Sequence, residues 1–173
     1  MPLSAARTRA LRMIEEQVPL QRVLAYLASS AEELCHRNIV ASILLLDREG
    51  LLRNGASPNL PADYLDAIDR LKPHPDLGTC ASAAATGNVV VTRDFLDDSR
   101  WAELKHLPIA LGFRGAWSMP IKDDRGRVLG TFGSYFFEPR VPTDHEQAVV
   151  AQLVPVAARA IAAAHPVDPA LAR

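Results

Sequence analysis

The chain carries two cysteines, Cys35 and Cys80, which are its strongest candidate nucleophiles. A thiolate can attack an electrophile, hold a metal or form a disulfide, and zinc and redox sites commonly place two cysteines at Cys-x-x-Cys spacing. Cys35 and Cys80 lie far apart in different predicted elements, so we expect both to stay reduced. Cys80 follows a loop of small residues, where a buried apolar side chain is favoured over a nucleophile.

Arg114 and His106 are the other side chains whose chemistry suggests a site. Arg114 can hold a ligand carboxylate or phosphate through two hydrogen bonds, or it can pair with a nearby aspartate such as Asp94, Asp97 or Asp98. His106 can ligate a haem iron. No second ligand at a suitable spacing accompanies it, so a surface histidine is favoured. The sequence indicates no metal and leaves the cofactor unknown.

The composition limits the partners that the chain can have. Lys and Arg number 19 against 20 Asp and Glu, and the formal net charge is −1. This balance creates no field that would draw the chain onto nucleic acid or an anionic membrane. We find no apolar span of about 18 residues and no signal-peptide core after Met1. We therefore expect a cytoplasmic protein with neither a nucleic-acid nor a membrane partner.

Five stretches rich in β-branched and apolar side chains predict strands, at residues 39–46, 51–56, 88–92, 114–121 and 127–137. The last two form the clearest hairpin, because the residues between them tolerate a positive φ. That turn reads Lys122-Asp123-Asp124-Arg125-Gly126.

Helices are predicted from apolar positions that recur at three and four residues, at residues 4–17, 20–36 and 62–71. A last helix begins at Thr143, which is spaced to form a capping box with Glu146. Hairpin-linked strands with helices at both ends and in the middle are typical of an α+β fold, with an antiparallel sheet between two helical layers. A doubly wound sheet is disfavoured because no glycine-rich phosphate loop follows a strand.

Five blocks of sequence stand in register along the chain: Ala41-Ser42-Ile43-Leu44-Leu45-Leu46-Asp47, Gly55-Ala56-Ser57-Pro58-Asn59-Leu60-Pro61, Gly78-Thr79-Cys80, Trp117-Ser118-Met119-Pro120-Ile121 and Val128-Leu129-Gly130-Thr131-Phe132. Together they resemble the GAF domains of bacterial sensor proteins, in the subgroup found upstream of histidine kinase or cyclic-di-GMP turnover domains. The resemblance covers residues 20–161. It implies a central antiparallel sheet between a terminal-helix layer and a ligand pocket that loops and helices cover.

The resemblance also divides the chain. Residues 1–19 would form an N-terminal helix for signalling and dimerisation, residues 20–164 the GAF domain, and residues 165–173 a tail. The terminal helices of the family often form a dimer bundle, so a homodimer is expected. An output kinase or cyclic-di-GMP domain is a possible further partner.

Strand parity, read through this resemblance, predicts the pocket. Side chains alternate across a strand, and the family implies that one set on each of the last two strands faces the ligand: Arg114, Ala116 and Ser118, with Thr131, Gly133 and Tyr135. Trp117 would face the terminal helices. The roof of the pocket would contain Cys80, Phe95, Trp101 and His106. For Trp101 and Trp117, packing is favoured over ligand stacking. We expect Tyr135→Ala to change the ligand response without unfolding the chain.

Three functions fit these residues. The favoured one is a non-catalytic sensory or regulatory module that binds an unidentified small molecule and shifts the arrangement of its terminal helices. A ligand-free dimerisation module with a collapsed pocket is a second.

The third is a thiol enzyme, because the family includes free methionine-(R)-sulfoxide reductases and Cys80 matches one of their cysteines. The resolving cysteine of those enzymes would fall near Ile109, and their pocket carboxylates at Ala116, Gly133 and Tyr135. Without a second thiol, a sulfenic acid on Cys80 cannot be discharged as a disulfide. The enzyme is therefore disfavoured.

Overall fold

The computed structural model describes residues 1–165, so the predicted tail lies outside the described residues except for His165. The elements follow one another as α1 (Leu3–Glu15), α2 (Leu20–Leu34), β1 (Val40–Leu46), β2 (Leu52–Ala56), α3 (Ala62–Ala67), α4 (Thr79–Thr86), β3 (Val90–Thr92), α5 (His106–Ala110), β4 (Gly115–Lys122), β5 (Val128–Phe136) and α6 (Asp144–Ala164). A short 3-10 helix, Ser99–Trp101, lies between β3 and α5.

The five strands form one sheet in the order β2-β1-β5-β4-β3, and every neighbouring pair is antiparallel. The predicted hairpin joins β4 to β5. Its turn is held by the Asp123 carboxylate, which accepts hydrogen bonds from the backbone N–H groups of Arg125 and Arg127 at 2.9 and 3.0 Å. Gly126 supplies the left-handed residue, with φ +79°. The predicted α+β class and antiparallel sheet are therefore confirmed.

Helices α1, α2 and α6 cover one face of the sheet. Trp117, Phe132 and Phe136 point into this layer and are almost completely buried. They pack with apolar residues of α2 and α6, among them Leu24 and Leu153. Burying one side chain of this kind stabilises the fold by about 1.5–3 kcal/mol. Trp117 thus lies on the side that strand parity predicted.

Helix α6 begins with the predicted capping box. The Thr143 hydroxyl accepts a hydrogen bond from the Glu146 backbone N–H at 3.1 Å, and the Glu146 carboxylate accepts one from the Thr143 backbone N–H at 2.9 Å. By length and composition alone, α6 could also cross a membrane, whereas the sequence was expected to hold no such span. Its apolar residues, including Val150 and Leu153, pack in the helix layer.

Helix α3 ends at Ala67 rather than at residue 71, because the chain turns back to the sheet. Arg70 adopts a left-handed conformation with φ +62°. The backbone N–H of Leu52 then donates to the Leu71 carbonyl at 2.9 Å, which joins this segment to the outer edge of β2.

One buried carboxylate, that of Glu32, links three parts of the fold. Glu32 belongs to α2 and is 5% exposed. One of its oxygens accepts a hydrogen bond from the Ala41 backbone N–H of β1 at 2.9 Å, and the other accepts one from the Asn59 side-chain amide ahead of α3. The helix layer is thereby tied to the chain that leads into the opposite layer.

Candidate functional site

The face of the sheet opposite the terminal helices is built from small and hydroxyl-bearing residues. On the paired strands β4 and β5, Ala116 lies opposite Tyr135 and Ser118 lies opposite Gly133. Thr131 follows on the same side and is fully buried. The sheet therefore presents a shallow floor with one large side chain, Tyr135, at its end.

An aromatic roof covers this floor. Phe95 and Trp101 pack edge to face, with ring centroids 4.5 Å apart. The indole Nε1 of Trp101 donates to the Thr79 hydroxyl at 2.8 Å, and that hydroxyl shares a second hydrogen bond of 2.8 Å with Thr92. Gly78, with φ +74°, lies against the Trp101 ring. The start of α4 and the loop after β3 are thus held together over the sheet.

A hydrogen bond between two buried tyrosines joins the roof to the floor. The hydroxyls of Tyr64 in α3 and Tyr135 in β5 are 2.7 Å apart, and the rings meet edge to face at 5.9 Å. Burial raises the pKa of Tyr135 well above its ordinary value. Burial also raises the pKa of Tyr64, although the hydrogen bond with Tyr135 acts in the opposite direction. Both phenols are therefore neutral at physiological pH.

Cys80 lies in the first turn of α4 with its thiol against the floor. A Cβ atom added to Gly133 would lie 2.9 Å from the Cys80 Sγ, so the sulfur packs directly against this glycine. Burial raises the pKa of the Cys80 thiol, and the neighbouring hydroxyls of Ser118 and Thr131 oppose this effect. The net direction is upward, which makes Cys80 a weak nucleophile because the thiolate is the attacking form.

Cys35 belongs to the other side of the sheet. It packs in the helix layer, where burial and the charge of Glu146 raise its pKa to about 12. The sheet separates the two thiols, and both are unbridged. The expectation that the cysteines stay reduced agrees with this placement.

The cavity between floor and roof is small, with a volume of about 20 Å³. That is room for about one water molecule, whereas sites for drug-sized ligands commonly measure about 300–1,000 Å³. It is lined by Leu44, Tyr64, Ile68, Leu71, Gly78, Thr79, Cys80, Trp101, Leu104, Ala116, Trp117, Gly133, Ser134 and Tyr135. Side chains fill almost all of the space that the predicted pocket would occupy.

The structure brings half of the predicted site residues to this cavity, namely Cys80, Trp101, Ala116, Gly133 and Tyr135. Phe95 is buried beside Trp101. Ser118 and Thr131 lie beside the Cys80 thiol, and apart from their effect on its pKa their buried hydroxyls make no other hydrogen bond among the described residues.

Arg114 and His106 are not among the residues that line the cavity. The Arg114 guanidinium pairs with the Asp94 carboxylate at 3.1 Å, which is one of the alternatives that the sequence allowed. His106 is exposed at the first position of α5. Pro108 is the buried residue of that short helix, and two residues along a helix point to nearly opposite sides. The predicted place of His106 in the roof is therefore corrected.

Several lining residues were not predicted for the site. Tyr64 and Ile68 are the most important, because they bring α3 onto the sheet. Their shared apolar face on the predicted helix was the available signal, and the sequence did not indicate which layer that face would cover. Within residues 1–165, no group of three or more histidine, cysteine or acidic side chains is placed to hold a metal ion.

Comparison with known proteins identifies this arrangement. Residues 17–162 match the GAF domain family. The methyl sulfide methyltransferase-associated sensor of Methanosarcina acetivorans is 32% identical over 145 residues, which is 83% of this chain and 14% of that protein. The chain therefore spans only a small part of the length of this relative.

Solved structures share the fold at low identity. The GAF domain of a phosphoenolpyruvate-protein phosphotransferase from Coxiella burnetii superposes with a TM-score of 0.73 at 17% identity, covering 92% of each chain. Free methionine-R-sulfoxide reductase from Neisseria meningitidis gives 0.70 at 17% identity over 94% of this chain and 89% of that one. A domain of a putative two-component sensor histidine kinase from Sinorhizobium meliloti gives 0.64 at 21% identity, over 78% and 85%. The chain belongs to the GAF domain family.

Proposed function

We propose that this chain is a non-catalytic sensory or regulatory GAF module that binds a small molecule between floor and roof and signals through its terminal helices. The observation that carries the proposal is the cavity closed by the Tyr64–Tyr135 hydrogen bond. The likeness to a protein named as a sensor supports it. The same proposal assigns the module to the cytoplasm and connects it to an output kinase or cyclic-di-GMP domain.

Binding at this site requires the roof to move. The floor is a five-stranded sheet, whereas Phe95 and Trp101 of the roof lie in a loop and a 3-10 turn, and Tyr64 lies in the short helix α3. Short elements with few contacts open at a lower free energy than a paired sheet. A ligand that binds the open form better would shift the population toward it. The closed cavity is then the resting state of the sensor.

Signalling is assigned to the helix layer. Helices α1, α2 and α6 pack together on the sheet, and the outer side of α6 carries small exposed residues such as Ala151 and Ala162. Small side chains let two helices approach closely. We therefore include a homodimer through the terminal helices in the proposal.

The observations around Cys80 favour binding over catalysis. A sulfoxide reductase that forms a sulfenic acid needs a second thiol to discharge it. Cys35 lies across the sheet, and Ile109 occupies the position implied for the resolving cysteine. None of the described residues that line the cavity is a carboxylate.

A ligand-free module is the second candidate, and the cavity volume of about 20 Å³ favours it. A screen of small metabolites by thermal shift, with native mass spectrometry for co-purified molecules, separates the two. A binder raises the melting temperature because ligation stabilises the folded state by RT ln(1 + [L]/Kd).

The variant Ala116→Leu tests whether a stabilising compound uses this cavity. Ala116 is a buried lining residue, and a larger side chain there would occupy the ligand's space at a cost of about 1–3 kcal/mol in stability. Ala102→Leu, at an exposed position, is the matched control. The proposal is supported if the compound no longer raises the melting temperature of Ala116→Leu but still raises that of Ala102→Leu. If no compound in the library raises the melting temperature of the parent chain, the ligand-free module is favoured.

A further inference from the structure

We infer that the ligand of this cavity is a small uncharged molecule with an apolar body, such as a single ring, and one hydrogen-bond acceptor that meets the tyrosine pair. This inference rests on the proposed function and adds the chemical class of the ligand. It follows from the charge, the unused hydrogen bonding and the size of the site.

The lining excludes a charged ligand. None of the described residues around the cavity carries a charge at neutral pH. The arginines beside the roof are already engaged: Arg114 pairs with Asp94 at 3.1 Å, and Arg100 pairs with Asp98 at 2.5 Å. An ion that leaves water for such a site without a counter-charge is strongly disfavoured. Neither an anion nor a cation is therefore expected to bind well.

The tyrosine pair has one hydrogen left to donate. Two hydroxyls share a single hydrogen bond, so one O–H donor of the Tyr64–Tyr135 pair is used and the other has no acceptor among the described residues. The hydroxyl of Thr79 is already bonded to Trp101 and Thr92. A ligand carbonyl or hydroxyl oxygen near the phenols would accept the remaining hydrogen.

Most of the rest of the lining is apolar, with Leu44, Ile68, Leu71 and Leu104 beside the indole of Trp101. Ser134 also borders the cavity, but it lies two residues from both Phe132 and Phe136 along β5, so its side chain points to the helix layer. A cavity of about 20 Å³ must grow before it admits anything larger than water. An apolar cavity of about 150 Å³ accepts benzene, which sets the scale for a modest displacement of the roof. These limits favour a ligand with about one ring.

Four compounds of nearly the same shape test the inference: acetophenone, α-methylstyrene, benzoate and benzamidine. The first is neutral with one acceptor, the second is neutral without one, the third is an anion and the fourth is a cation. We expect acetophenone to bind about two- to tenfold more tightly than α-methylstyrene, as one net hydrogen bond allows. Benzoate and benzamidine should bind at least about 100-fold more weakly. Ligand-observed NMR titration gives the four dissociation constants.

Tyrosine variants test whether the acceptor of the ligand binds at the tyrosine pair. Because either phenol can donate the remaining hydrogen, Tyr64→Phe and Tyr135→Phe should each keep the preference for acetophenone over α-methylstyrene. The double variant should lose that preference and keep the apolar binding. Circular dichroism checks that the variants fold, and the ranking in the unmodified chain decides the inference if they do not.

Benzoate or benzamidine binding as tightly as acetophenone, at a site that Ala116→Leu blocks, would overturn the inference and leave the proposed function intact. The inference alone is likewise overturned if all four compounds fail while a charged metabolite binds at the site that Ala116→Leu blocks. If neither these compounds nor the metabolite screen gives a binder, the inference and the ligand-binding function both fall.

Discussion

Tyr135 is both a floor residue and a member of a second hydrophobic core. It is 5% exposed and stacks on Phe113 with ring centroids 4.9 Å apart. Removing such a ring to alanine costs about 3–5 kcal/mol. The expectation that Tyr135→Ala leaves the fold intact is therefore withdrawn, and phenylalanine is the informative replacement.

The tyrosine pair should behave as a coupled unit. Tyr64→Phe or Tyr135→Phe alone leaves the other hydroxyl buried without its partner, and we expect each to lower the free energy of unfolding by about 1–2 kcal/mol. The double variant should cost less than the sum of the two. Urea unfolding followed by circular dichroism measures all three. Tyr26→Phe, which removes an exposed hydroxyl, is the control, and strictly additive losses would contradict the coupling.

The Cys80 thiol should be slow to react in the folded chain. Its raised pKa keeps the thiolate scarce at pH 8, below the ordinary value of 9.0 for a thiol. In a Cys35→Ala background, we expect iodoacetamide to modify Cys80 at least about tenfold more slowly in buffer than in urea. Mass spectrometry of timed samples gives both rates. Rapid alkylation of the folded chain at pH 7 would instead revive the thiol-enzyme interpretation.

At the scale of the element, the strands were predictable because one face of the sheet packs against the helix layer and the other forms the floor. Ala116 and Tyr135 fell on the floor and Trp117 and Phe132 in the helix layer, since a side chain's face follows from its position along the strand. The capping box at Thr143 is equally local and was also predicted correctly. These features depend on neighbours in sequence.

The roof was less predictable, because its position depends on contacts between distant segments. His106 and Tyr64 lie in short helices bounded by loops, and nothing nearby in sequence fixes which side of such a helix meets the sheet. The cavity volume was beyond prediction for the same reason. It depends on the distance between α3 and the sheet, which is set where Tyr64 forms its hydrogen bond with Tyr135.

Glu146 should make the start of α6 sensitive to acid. Burial raises its pKa, but hydrogen bonds from Arg140 and Thr143 outweigh this, so the pKa lies below the ordinary value of 4.5. A lowered folded-state pKa means that the stabilisation is complete above the unfolded value and is lost as the pH falls through the folded one. We expect Glu146→Gln to cost about 2 kcal/mol at pH 7 and progressively less below about pH 4.

Denaturant unfolding of both chains from pH 7 down to pH 3 measures that difference. Glu138→Gln is a matched control on the same arginine, because Glu138 is 75% exposed and lies 3.9 Å from Arg140. It should change stability by less than about 0.5 kcal/mol. If the loss in free energy of unfolding caused by Glu146→Gln stays constant with pH, the effect comes from packing and not from the charge of Glu146.

Gly130 should be irreplaceable in the sheet. A Cβ atom there would lie 2.1 Å from the backbone carbonyl oxygen of Leu44 on β1, and relief would require β1 and β5 to separate. We expect Gly130→Ala to lower the free energy of unfolding by more than about 4 kcal/mol. Gly133→Ala should cost less, because its closest contact at 2.9 Å is the Cys80 sulfur, which can rotate. Thermal and urea unfolding of the two variants test this order.

At the scale of the whole molecule, the proposed dimer can be tested from its outer surface. We expect sedimentation velocity to give a dimer held by the terminal helices. Ala151→Glu introduces a charge on the exposed side of α6 and should weaken association at least about tenfold. Ala102→Glu, the same change at an exposed site in the roof, should leave it unaltered. A parent chain that sediments as a monomer at high concentration would refute the dimer.

The carboxylate of Glu32 connects the helix layer to the roof side of the sheet at the start of β1. One oxygen accepts a hydrogen bond from the β1 backbone, and the other accepts one from Asn59. Asn59 lies just before α3, the helix that carries Tyr64. If the roof opens as proposed, Asn59 would either move together with the Glu32 carboxylate or lose its hydrogen bond to it, and both outcomes would act on α2. Under the proposed function, coupling between the two layers would run through this contact at the start of β1, and the sheet itself would not need to deform.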